Sequence, residues 1–103
     1  MRVVFKEPGK RSRIIAIPND LKVMQQLVDG PIETVPFYMG TVMIVNEEGK
    51  LRNLLPNVPH PAYNGDVIVG NLIVAQVEGE EFGAICAERA KMIAQFLDEE
   101  GAI

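Results

Sequence analysis

Arg13-Ile14-Ile15-Ala16-Ile17-Pro18-Asn19-Asp20-Leu21-Lys22-Val23-Met24-Gln25-Gln26-Leu27-Val28-Asp29-Gly30-Pro31-Ile32-Glu33-Thr34-Val35 reads as strand, helix and strand in one run. Pro18-Asn19-Asp20 stops a β-branched segment and offers an N-cap for a helix. Leu21, Met24 and Val28 fall at i, i+3 and i+7, with Val23 and Leu27 at i and i+4. Their shared face is apolar, while Lys22, Gln25, Gln26 and Asp29 point elsewhere. Gly30 suits the C-cap, and Pro31 prevents continuation. Ile32 to Val35 then alternates like a half-buried strand that Pro36 closes.

Upstream, residues 2–6 and 13–17 are apolar runs separated by Glu7-Pro8-Gly9-Lys10, a hairpin signal. Downstream, a turn near Met39-Gly40 leads into a strand over 41–46, and Glu47-Glu48-Gly49-Lys50 reads as a tight turn with Gly49 at positive φ. Residues 52–65 carry Pro56, Pro59, Pro61, Asn53, Asn57 and Asn64 and read as irregular. Asp66 to Gly70 and Asn71 to Val77 return to β character, with Gly70 marking a bulge or a close backbone approach. A helix is expected around Gly83 to Glu99, its stripe formed by Ile85, Arg89, Met92, Ile93, Phe96 and Leu97. The order predicts an α+β domain: a small antiparallel sheet of about five or six strands with two helices packed on one face. Residues 1–103 form one domain, in which 78–103 is an acidic turn and then a helix.

Composition supports an ordinary core. The chain has 103 residues and is 48% hydrophobic, enough to bury a core without metal or disulfide staples. The single cysteine, Cys86, fits a reducing cytoplasm, and the charged N-terminal residues do not read as a signal peptide. A bacterial cytoplasmic location is expected, with no membrane association. Net charge is −4, from 14 acids and 10 bases. The bases Arg2, Lys6, Lys10, Arg11 and Arg13 lie early and the acids Glu78, Glu80, Glu81, Asp98, Glu99 and Glu100 late. That balance argues against nucleic acid as a partner.

Catalysis needs a nucleophile, an acid/base and a charge-stabilising group within reach of one another. One histidine, His60, rules out a multi-histidine metal site, and Cys86 with His60 is the single thiol–imidazole pair. Cys86 reads as a small buried hydrophobe, and His60 as a loop residue between Pro59 and Pro61. Neither a P-loop nor a dinucleotide fingerprint is present. No catalytic residue, metal ligand or cofactor is expected.

The polar block Asn46-Glu47-Glu48-Gly49-Lys50-Leu51-Arg52-Asn53-Leu54-Leu55-Pro56-Asn57 lies between apolar segments, where a small domain carries a binding surface. Asn46, Glu47, Lys50, Arg52, Asn57 and His60 are the candidate contacts, with Lys50 and Arg52 placed to meet phosphate. Four segments also resemble a known family: Val3 to Lys10, Ile17 to Glu33, Ile44 to Leu51 with Leu55-Pro56-Asn57, and Asp66 to Gly70. Together they resemble a small family of unknown function carried by phages, plasmids and conjugative elements, mainly of Firmicutes and their relatives. The resemblance covers about residues 3–75. Members often carry glycine where Asp29 stands, and residues 78–103 rest on periodicity alone.

That resemblance implies a mobile-element setting and no reaction. The expectation is a non-enzymatic binding protein, with counter-defence as one setting, that binds a host protein or sequesters a small nucleotide-like ligand. The alternative is a structural or regulatory oligomerisation module. A homodimer is expected in either case.

Overall fold

Three runs, Val3-Val4-Phe5, Met43-Ile44-Val45 and Leu72-Ile73-Val74-Ala75, lack the polar alternation of a strand with one wet face, and all ten residues are buried. The chain, described here by a computed structural model over residues 1–101, places them in the middle of a six-stranded antiparallel sheet covered on both sides. The strands are β1 (Arg2–Lys6), β2 (Arg13–Ala16), β3 (Ile32–Pro36), β4 (Thr41–Asn46), β7 (Leu72–Glu78) and β8 (Glu81–Gly83). Their order is β2-β1-β7-β4-β3, with β8 also pairing with β7. A second sheet pairs β5 (Pro56–Pro59) with β6 (Val67–Val69).

Register explains the two cores. Val4 lies opposite Val74, and Val74 opposite Met43. These residues share a face with Leu72, Val45 and Val35 and pack against Val58 and Ile68 of the small sheet, together with Ile85, Ala90, Ile93 and Leu97. One residue along, Phe5 lies opposite Ile73 and Ile73 opposite Ile44. That face packs on Met24 and Val28 of α1 (Leu21–Val28). The other helix, α2 (Ala87–Phe96), continues into a π-helical turn, Leu97–Gly101. The α+β class and the six-stranded sheet match the expectation. The helices, however, lie on opposite faces, which corrects the expected single-face packing: successive residues of a strand point to opposite sides, so unbroken apolar runs need a cover on each.

Other local expectations are also corrected. Residues 52–65 contain the strand β5, and β8 precedes the last helix, which starts at Ala87 rather than near Gly83. Within that helix Ala90 and Ile93 are buried while Met92 and Phe96 are exposed. Cys86 is exposed at the helix N-cap. At the end of α1 the left-handed residue is Asp29, at φ 61°, one position before Gly30. Gly49 sits in no hairpin, because β4 pairs with β3 and β7. A Cβ there would meet Val69 Cγ2 at 2.8 Å, so close approach rather than positive φ requires glycine. Gly70 needs both: its φ is +77° and a Cβ would meet Leu54 Cδ1 at 2.8 Å. Residues 102 and 103 of the expected C-terminal segment lie outside the described residues.

Candidate functional site

Two asparagines of the polar block turn inward. Asn46, at the end of β4, donates from Nδ2 to the Val28 and Asp29 carbonyls, both at 3.0 Å, and accepts from the Glu48 N–H at 2.7 Å. It thereby satisfies carbonyls that the end of α1 leaves unpaired. Asn57 sits at a register shift in β5 and is fully buried. Its Nδ2 donates to the Lys6 and Gly70 carbonyls, and its Oδ1 accepts from Lys6 Nζ at 2.9 Å. One side chain thus ties β1, β5 and the Gly70 turn together. Arg52 belongs with Asn46, since Nη2 lies 3.0 Å from Asp29 Oδ2 and Nη1 donates to the Asp29 carbonyl.

Glu47, Lys50 and His60 face a recess of about 180 Å³ that Asn46, Glu33, Asp66 and β6 also line. Lys50 is ion-paired with Asp66. That hydrogen bond, and after it one from the Val67 N–H, holds the Asp66 carboxyl below its ordinary pKa. His60 Nδ1 accepts from the N–H groups of Ala62 (3.0 Å) and Tyr63 (3.2 Å). A nitrogen that accepts carries no proton, so the neutral ring is protonated at Nε2. The imidazole also packs against Tyr63 at a tilt of 42°, centroids 4.7 Å apart. The structure therefore gathers four of the six candidates at one recess. Arg52 is directed to the end of α1 and Asn57 to the core.

His60 also borders a second hollow, of about 140 Å³, lined by Phe37, Tyr38, Met43, Val58, Pro59, Pro61, Phe96 and Leu97. Here Tyr38 meets Phe96 edge-on at 5.7 Å, with Phe37 4.7 Å from Tyr38. Tyr38 is 51% exposed, Met39 47%, Met92 58% and Phe96 39%. Arg89 reaches the Met39 carbonyl at 3.4 Å. The β3–β4 turn presents one of these residues in a costly way: Met39 and Gly40 both have positive φ (57° and 73°), which glycine adopts freely but which strains a methionine.

None of these aromatic and methionine residues was a candidate contact from sequence. Two signals pointed to them. Phe37-Tyr38-Met39 puts three large side chains in a turn, where small polar residues are usual. On α2, Met92 and Phe96 lie beside the buried Ala90 and Ile93, more apolar surface than one face of so short a helix can bury.

Among the described residues no group of three or more His, Cys, Asp or Glu is placed to hold a metal ion, and no helix is long and apolar enough to cross a membrane. The fold and surface define a small three-layer α+β domain with a polar recess and an aromatic patch joined at His60. The chain belongs to the DUF3846 family, a domain of unknown function, whose model matches residues 1–99. The match runs through α2, beyond the residues whose motifs resemble a known family. No curated protein matches the chain. Nor does any solved structure.

Proposed function

We propose that this chain is a non-enzymatic binding protein of a phage or other mobile element, acting in the bacterial cytoplasm, with counter-defence as its setting. It binds a host protein through the surface around Tyr38, Met39, Met92 and Phe96, with His60, Lys50 and Glu47 at its polar margin. The observation that carries this reading is the exposed aromatic contact between Tyr38 and Phe96, flanked by two exposed methionines. Aromatic and methionine side chains are enriched at the centres of protein interfaces, inside a polar rim. A rigid aromatic pair also loses little side-chain entropy on binding.

At the recess beside His60, charge and size disfavour a nucleotide-like ligand. The recess beside His60 holds the carboxylates Glu33, Glu47 and Asp66 against Lys50, and Lys50 is already paired with Asp66. Such a site repels phosphate. Its volume, about 180 Å³, is also below the roughly 300 Å³ at which ligand pockets begin. Support for a non-catalytic role comes from His60, whose Nδ1 is spent on two backbone N–H groups.

The test compares the wild type with Tyr38→Ala/Phe96→Ala after purification from infected host cells, each by native mass spectrometry. A protein retained by the wild type and lost by the double variant is expected. Retention of a small molecule in place of a protein, or of the same protein by both, would sink this reading.

A further inference from the structure

The backbone of β2 carries a free edge whose ends match each other. Ile17 N–H donates to the Met1 carbonyl at 2.9 Å. Alternation along the antiparallel pair then directs the backbone groups of Ile15 and Arg13 to β1, and those of Ser12, Ile14 and Ala16 away from it. The outward Ser12 N–H is occupied by Asp98 Oδ1 at 2.7 Å. Ile14 and Ala16 have no strand beside them among the described residues, and the Ile14 side chain is 42% exposed. An open recess of about 380 Å³, lined by Met1, Arg2, Ile14, Ile15, Ala16 and Ala84, runs along this edge. Such edges are usually blunted by charge, proline or a bulge. The opposite edge strand, β3, is: Pro31 precedes it and Pro36 ends it.

We infer that β2 pairs antiparallel with β2 of a second copy of this chain about a two-fold axis at Ile15, making one continuous sheet. In this register Ile14 lies opposite Ala16 of the second copy and exchanges both backbone hydrogen bonds with it, and symmetry doubles the count. At each end Ser12, whose N–H is taken, lies opposite Pro18, which has none, so the ladder stops where both chains run out of donors. The two-fold match of the ladder's ends selects a second copy as the occupant, and charge permits it. Beyond Ser12 come Arg11 and Lys10, and beyond Pro18 come Asp20 and Lys22, with Glu81 close by because Asn19 Nδ2 donates to the adjacent Phe82 carbonyl at 3.0 Å. The basic end is only partly neutralised: Glu7 faces Lys10 and Arg13, and Asp98 lies 3.9 Å from Arg11. The antiparallel register brings that end alongside Asp20 and Glu81 of the second copy.

Two measurements test the pairing. Sedimentation velocity over a concentration series is expected to show a reversible dimer for the wild type. Ala16→Pro removes an outward N–H that no β1 bond uses, and is expected to weaken the dimer by about tenfold or more with an unchanged far-ultraviolet circular dichroism spectrum. In a Cys86→Ser background, Ile15→Cys is expected to cross-link two copies on mild oxidation, because a non-hydrogen-bonded pair brings the two Cα atoms within disulfide reach. Ile14→Cys in the same background is not. A wild type that stays monomeric throughout overturns the pairing. So does a dimer whose Ile15→Cys variant forms no cross-link, and that second result decides the question even if Ala16→Pro fails to fold.

Discussion

At the scale of single residues, the pair Lys6 and Asn57 holds the greatest energetic risk. Lys6 is 2% exposed, and its ammonium donates to Asn57 Oδ1 at 2.9 Å. Asn57→Ala leaves that charge without its amide partner and strips the Lys6 and Gly70 carbonyls of theirs. A loss of about 3 kcal/mol or more in urea unfolding is expected. Burial holds the Lys6 pKa below the ordinary 10.5, with the Asp98 carboxylate pulling the other way. The unfolded chain therefore binds more protons than the folded one between the lowered value and 10.5. Stability contributed by this site rises with pH through that alkaline window and falls on return to neutrality. Lys6→Met is expected to flatten that slope relative to the wild type in unfolding curves measured across it.

At the scale of elements, two ends depart from their best local chemistry. Cys86 caps α2 with extended backbone (φ −63°, ψ 154°) but makes no side-chain hydrogen bond to the helix. Cys86→Ser supplies an oxygen acceptor there, and a gain of about 0.5–1 kcal/mol in thermal or chemical unfolding is expected. The β3–β4 turn departs in the other direction. Met39→Asn suits its positive φ and is expected to stabilise the protein by about 0.5–1 kcal/mol while weakening partner capture, both read on one preparation. Strain kept at a binding surface has that signature. Much of this scale was legible in sequence. The Asp20 cap of α1 is present, its Oδ1 accepting from Lys22 N–H at 2.8 Å, and the strands at 2–6 and 41–46 lie where their apolar runs place them. The strand β5 was not legible, because two of its four residues are prolines and its partner β6 lies past a long loop.

At the scale of the whole molecule, β7 holds the fold together. It enters between two hairpins, pairing with β1 on one side and β4 on the other, although it lies most of the chain away from β1. Ile73, near its start, is wholly buried. Ile73→Ala is expected to cost about 3–4 kcal/mol. The same truncation at the half-exposed Ile14 is expected to cost under about 1 kcal/mol, both measured by chemical denaturation. The candidate site divides along the same line. Glu47, Lys50 and His60 could be chosen from sequence as exposed polar groups of loops, and they share a recess. Asn46 and Asn57 could not be told from them, because burial of an asparagine depends on carbonyls brought to it from elsewhere.

The sequence by itself determined the α+β class, the helix α1 with its cap, and most strand positions, because turns, caps and periodicity act within a few residues of one another. Only the tertiary structure decided which face each helix covers, which asparagines are core, and that Tyr38 meets Phe96. Those outcomes depend on register between distant residues, such as Val4 against Val74. A strand shifted by a single residue exchanges its two faces.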